Sequence, residues 1–554
     1  MEKRLIAAIV LSFLVLVGYQ LLFVKPQPLP EVTPQGTEAG EPAGTPAGLP
    51  PGTSKTDVVT PAPAAPQAAP AEAVPAVEGQ SYQEIVIDTS LYRAVWSNRG
   101  GVLLSWKLKK HKNDKKEDLE LVSAKAEEFG RFPFSIWTED ADFNREANQF
   151  LFQASQPALS LGDGQKGELR FDYSDGKGVK IEKIYVFKGG VYDFDIQVNV
   201  WKSGQKADAA VLWGPGIGRF SPGEEKQRFA AGSGMAVSAS GRVSRIDQRK
   251  YKPELSAFNF VNWAAYEENY FAALFVTPSQ KGTAVFLREE KDGVPYYFAA
   301  VSRPEKAFVG PKEFDALRAF GHDSKKIINF GFFGSIAEVL LIMMKYFHKY
   351  VSNWGLAIII LTFIIKILFF PLTYSSTKSM AKMQELQPKI KALRAKYKKA
   401  KQDIDQRRQM NEEMMKLYKE HGVNPAGGCL PMLIQIPVFW GVFRMLAVAV
   451  EFRQSPFVFW IKDLSVKDPT YVTPIMMGVT QFISQKMTPT SADPSQAKMM
   501  LIMPVVMTVF FMNFQSGLIL YWLTTNVLQI AQQAIMNKMM AKKKRESDGK
   551  RRKK

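Results

Sequence analysis

The sequence is poor in the residues that metal and thiol chemistry need. A single cysteine among 554 residues, Cys429, cannot close an intramolecular disulfide and excludes a cysteine-built metal cluster. The four histidines, His111, His322, His348 and His421, lie far apart with no ligand-like spacing. No G-x-x-x-x-G-K-[ST] run offers a cradle for nucleotide phosphates, and no clear internal repeat marks a transporter built from halves. No metal, cofactor or catalytic residue is therefore expected.

What is present falls into blocks. "MEKRLIAAIVLSFLVLVGYQLLFV" places a basic flank before about twenty uncharged, mostly apolar residues, longer than a signal-peptide core and without a nearby A-x-A site. Residues 1–24 read as a retained signal anchor with a cytoplasmic N-terminus. Residues 25–80, rich in Pro, Ala and Gly, have almost no large apolar side chains and read as a disordered tether. From 81 to 325 the pattern is that of strands. In "VYDFDIQVNVW", Phe194, Ile196, Val198 and Val200 alternate with Asp193, Asp195, Gln197 and Asn199, the period of a half-buried antiparallel strand. Gly189-Gly190 and Asp292-Gly293 supply hairpin turns. Similar runs, "YQEIVID", "KIEKIYVF", "YFAALFVTP" and "GTAVFLRE", predict an all-β sandwich, outside the cytoplasm because it follows an anchor.

The rest has the hydropathy of membrane. Residues 330–350 place Phe333, Ile336, Ala337, Leu340, Leu341 and Met344 at helical spacing, an amphipathic helix expected to lie on the membrane surface. Five spans are predicted within 351–540, at about 352–373, 429–450, 471–487, 498–514 and 516–536. The basic loop 374–427 and the tail "KKKRESDGKRRKK" then fall on the cytoplasmic side with Lys486 and Lys498, as the positive-inside rule requires. The fold class is a multi-domain membrane protein: signal anchor, periplasmic β-sandwich and five-helix transmembrane bundle with a cytoplasmic helical hairpin.

Lys366 lies inside "LAIIILTFIIKILFFPLT", where a charge at the helix centre costs roughly 2.5–3.5 kcal/mol on the insertion scale. Thr362 and Thr373 share its helical face. Other spans carry polar stripes as well: Gln435; then Thr480, Gln481, Ser484 and Gln485; then Trp522, Thr525, Asn526, Gln529 and Gln533. Polar groups in hydrocarbon need partners or water. Three readings stand together: a hydrated groove with Lys366 as its fixed charge, a lysine snorkelling to the cytoplasmic end, and a buried ion pair. Arg444, a second intramembrane cation, is expected to reach outward toward Glu451.

In the loop, Leu386, Ile390, Leu393 and Tyr397, then Met410, Met414 and Leu417, form two amphipathic patterns of a helical hairpin. The methionines suit varied apolar partners or packing between the two helices. The basic tail 541–554 has two readings, contact with ribosomal RNA or anionic lipid and a solvated positive-inside signal.

Six blocks in order, "NWGLAIIILTFIIKILFFPLT", "SMAKMQELQPKI", "VNPAGGCLPMLIQIPVFWGVF", "EFRQSPFVFWIKDLS", "DPTYVTPIMMGVTQFISQKMTP" and "SGLILYWLTTNVLQIAQQ", resemble the YidC, oxidase-assembly and Albino family of membrane protein insertases. "WSNRGG" and "YFAALFVTP" resemble the periplasmic domain of its Gram-negative members. The resemblance implies a monomeric inner-membrane insertase and chaperone. Its hydrophilic groove would be open to cytoplasm and lipid, receiving nascent membrane proteins alone or beside the Sec translocon. Position 366 matches the family's groove arginine but is lysine here, keeping the charge and losing the planar donor fork. Thr362 matches the groove threonine, and Trp522 stands where relatives often have tyrosine, beside Tyr521 in a substrate-contacting pair. The hairpin, with Met410, Met414 and Leu417, matches a segment that meets substrate early. Two rivals remain at this point: a transporter or channel using the intramembrane lysine, and a sugar-processing β domain. The second would want histidine and acid in one cleft, and the domain offers only His111 and His322.

Overall fold

The alternating segments pair as strands because alternation lets one face of each be buried while the other stays wet. The computed structural model describes residues 75–113, 115–218, 234–248, 251–278, 281–397, 403–423, 430–488 and 494–552. The anchor at 1–24, most of the 25–80 tether and Cys429 lie outside the described residues. The strands form one ten-stranded and two five-stranded sheets, almost wholly antiparallel. At the centre of the large sheet, strand Asp193–Lys202 pairs with Lys180–Lys188 on one side and Lys306–Pro311 on the other. Phe194, Ile196 and Val200 are buried, while Asp195 and Gln197 are exposed. Gly190 takes φ +83° in its turn, and a Cβ on Gly189 would sit 2.1 Å from the Gly162 carbonyl oxygen, so both glycines are required there.

The β core is aromatic. The Trp96 ring lies 4.4 Å from Tyr185 and 4.9 Å from Phe134, centroid to centroid. Beneath it is Lys183, wholly buried, its ammonium donating to the carbonyls of Gly100 (2.7 Å), Gly101 (3.2 Å) and Phe134 (2.9 Å). Burial pulls its pKa down to about 7, and the three acceptors act the other way by favouring the charged form.

Two short helices, α1 (Lys125–Phe129) and α2 (Ala141–Ala147), decorate this domain, and α3 (Phe314–Phe320) closes it. The helical region follows: α4 (Gly334–His348), α5 (Trp354–Glu385), the hairpin helices α6 (Gln387–Lys396) and α7 (Ile404–Glu420), α8 (Leu430–Val448), α9 (Val472–Met487), α10 (Pro494–Phe511) and α11 (Ser516–Arg552). Among the described residues, α5 alone is long and apolar enough to cross a membrane by length and composition; α8 and α10 have shorter apolar cores. Helix α5 runs through Pro371 and past the expected end at 373, and α11 carries the basic tail on as helix to Arg552.

Helix α4 has the amphipathic pattern expected of it. Its stripe of Ala337, Leu340, Leu341 and Met344 is buried against α8 and α5. Val339, Ile342, Tyr346 and Tyr350, on its other side, are the exposed apolar set. Sequence periodicity identified the stripe but not which of two apolar environments covers it. The β domain docks on the last turn of α8 and the segment after it: Asn269 donates to the Ala447 carbonyl (3.0 Å), and Arg453 and Gln454 donate to the Lys112 carbonyl (both 2.9 Å).

Candidate groove among α5, α8, α9 and α11

Thr362 and Lys366 stand one helical turn apart on α5, so both face the bundle. Thr362 is buried and its hydroxyl donates to the Ile358 carbonyl (2.6 Å), which leaves its hydrogen committed to its own helix. Thr373, further along, likewise bonds the Phe369 carbonyl (3.0 Å). Lys366 is half-buried, and its Nζ donates to Oε1 of Gln529 on α11 at 2.9 Å. Among the described residues no carboxylate lies within ion-pair distance of it. Of the three readings open at the sequence level, the buried ion pair has no partner there.

The polar side chains of α11 divide among three neighbours, Gln529 meeting α5 and others α8 and α9. Tyr521 is buried and accepts from Nε2 of Gln435 on α8 (2.9 Å). Trp522, about 100° further round the helix, donates to Oε1 of Gln481 on α9 (3.2 Å) and packs against Phe439 and Phe511, each at 4.9 Å. Asn526 donates to the Met477 carbonyl (3.1 Å) and to Thr480 Oγ1 (3.3 Å). Gln533 donates to Asn537 (2.9 Å). Oxygen atoms of Gln485 and Gln533 are buried without a protein partner, and such groups call for water or a polar guest. The arrangement can hold a hydrated polar segment beside one positive charge; it has no pair of groups set for covalent chemistry.

Other expected residues sit elsewhere. Met414 and Leu417 pack against the hairpin cluster of Met383, Leu386, Ile390 and Val423. Two of the three residues assigned to substrate contact therefore help hold the hairpin together, because their i, i+3 spacing places them on its inner face. Met410 is half-exposed, and the exposed apolar side chains of α7 are Ile404 and Met415. Arg444 does not reach Glu451: its guanidinium donates to the Asn329 carbonyl, while Glu451 is taken by Lys345 at 3.2 Å. Asp468, ahead of α9, has no signal in the hydropathy pattern that would single it out. Burial would raise its pKa, but donors from Thr473 and Thr470 outweigh that and hold the carboxyl down to about 2.

A family model described as "YidC periplasmic domain" matches residues 84–343, and one described as "60Kd inner membrane protein" matches 346–544. The membrane protein insertase YidC of Geotalea daltonii is 37% identical over 551 residues, covering 98% of this chain and 100% of the relative. That of Citrifermentans bemidjiense is 38% identical over 581 residues, with 98% and 100% covered. The chain belongs to the YidC family. A crystal structure of an active YidC insertase with its first transmembrane domain resolved is similar at 20% identity and a TM-score of 0.35, covering 83% of this chain and 94% of that one. The YidC family is membrane-integral, with a β-rich periplasmic domain and a C-terminal helical insertase region, the two parts seen here. These YidC relatives give the transporter reading no support.

Proposed function

We propose that this protein inserts and helps fold integral membrane proteins in the bacterial inner membrane, and that the polar face shared by α5, α8, α9 and α11 is its substrate groove. The observation that carries the proposal is Lys366, a cation held among apolar helices by a neutral amide at 2.9 Å. A substrate's polar external segment enters the groove, drawn by that charge. Groove water shortens its path through hydrocarbon, and its apolar span partitions into lipid beside the bundle. The gain is a lower desolvation barrier, so the cycle includes no covalent step.

In this reading the N-terminus, hairpin and tail are cytoplasmic, the β domain is periplasmic, and five C-terminal helices span the membrane. The protein works as a monomer on nascent membrane proteins, alone or beside the Sec translocon. Its basic tail is placed to meet ribosomes or anionic lipid. A scaffolding or binding role suits the β domain better than turnover of a sugar. His111 is largely buried, and burial together with Arg453 and Lys110 pushes its pKa down to about 4, which leaves a weak proton acceptor.

The test is insertion by the reconstituted protein of a single-span substrate with an acidic external segment. Lys366→Leu slows it and Lys366→Glu slows it further. A photoreactive residue replacing Trp522 cross-links the arriving substrate, and a lipid-facing control at Leu368 does not. Normal rates for both Lys366 variants would sink electrostatic capture.

A further inference from the structure

The five helices from α5 to α11, the hairpin helices aside, are rich in amides and hydroxyls yet contain almost no carboxylate. Residues 354–384, 430–448, 472–487, 494–511 and 516–545 include no aspartate or glutamate. Where α11 meets Lys366 of α5, the partner it offers is the neutral amide of Gln529. Trp522 and Asn526 on the same stripe bond α9 instead.

We propose that Gln529 is a positioning residue that holds the Lys366 ammonium in the groove without cancelling its charge, and so sets the preference for acidic substrate segments. This rests on the insertase reading above. An ammonium has three N–H donors. The Gln529 oxygen occupies one, which fixes the side chain across the groove and leaves the others turned to water or substrate. A carboxylate at 529 would take the same position, form an ion pair, and remove the field that an approaching aspartate feels. Glutamate and glutamine have nearly the same shape, so the substitution changes charge and little else.

The experiment compares, in reconstituted full-length protein, a single-span substrate whose external segment carries aspartates with one carrying asparagines at the same positions. Gln529→Glu lowers the ratio of aspartate to asparagine substrate inserted to that of Lys366→Leu. The loss is roughly tenfold, for an attraction across about 10 Å at an effective dielectric near 20. Gln529→Met, uncharged and similar in length, keeps the preference for aspartate. The double variant Lys366→Leu/Gln529→Lys, which carries the cation on α11 instead of α5, restores it. The inference is overturned if Gln529→Glu inserts the aspartate substrate at the normal rate, or slows both substrates equally. Lys366→Leu separates the two ideas. If that variant loses the preference while Gln529→Glu keeps it, only the role of Gln529 fails. If Lys366→Leu itself keeps the preference, electrostatic capture fails and the role of Gln529 with it.

Discussion

Lys345 holds three parts of the molecule together, and removing it has a cost that the geometry sets. Its Nζ lies 2.7 Å from Asp315 on α3 and 3.2 Å from Glu451 in the segment after α8. Glu451 also accepts the Phe314 N–H at 3.4 Å, and its second carboxylate oxygen is buried with no hydrogen-bond partner. The Glu451 side chain is 7% exposed and that of Lys345 17%, whereas Asp315 is 64% exposed. Lys345→Met keeps the length of the side chain and strands a buried carboxylate. Breaking a buried pair in this way costs about 3–5 kcal/mol. Burial already raises the pKa of neighbouring Glu313, Lys345 acts to lower it, and Glu451 and Asp315 raise it further. Losing the lysine pushes Glu313 higher still.

Glu451→Gln is milder. The amide oxygen still accepts the Phe314 N–H, and Lys345 keeps Asp315, so the loss is about 1–2 kcal/mol. The two variants should differ by about 3 kcal/mol, or roughly a hundredfold in the opening equilibrium of the junction. Hydrogen exchange of the α3 and α4 amides, measured in reconstituted full-length protein, reads that equilibrium directly. Equal opening in the two variants, or more opening in Glu451→Gln, would refute the assignment of Glu451 as a carboxylate that depends on Lys345.

Acid should loosen the docking of the β domain, because His111 packs its ring against Phe271 beside Arg453. Its folded pKa of about 4 lies below the ordinary 6.5, so the opened state binds more protons between those values. The contact's full stability is present above pH 6.5 and declines as pH falls, by about 2 kcal/mol at about pH 5. Exchange at Lys112 and Arg453 should follow that curve, and His111→Phe should flatten it. Helices α9 and α10 meet at Gly478, where a Cβ would come 1.9 Å from Thr508 Oγ1. Gly478→Ala should cost about 1–3 kcal/mol by overpacking, seen as a lower melting temperature in detergent, and Thr508→Ala in the same chain should recover most of it.

Local periodicity carried much of the fold into view, because it reports which face of an element is covered. It located strand Asp193–Lys202, the two hairpin helices and the apolar stripe of α4. Periodicity does not say what does the covering. Helix α4 is an example, since its stripe meets α8 rather than lipid, and so is Arg444, whose partner is a backbone carbonyl with no signature in sequence. Strand Lys180–Lys188 shows the rule winning against chemistry. Ile181, Lys183, Tyr185 and Phe187 share one parity and all are buried, lysine included. A one-residue slip would free Lys183 and expose three apolar side chains, so register outweighs a single charge.

Lys183 and Lys366 then separate by their donors. Lys183 spends all three N–H groups on backbone carbonyls in a closed core, which makes it a strut. Lys366 meets one side-chain amide from a residue 163 positions away, at the edge of a polar face with unpartnered oxygens on α9 and α11. Hydropathy flags Lys366 because it interrupts an apolar run, and passes over Lys183 because strands tolerate alternating charge. Only the folded arrangement shows which ammonium has donors left for a substrate.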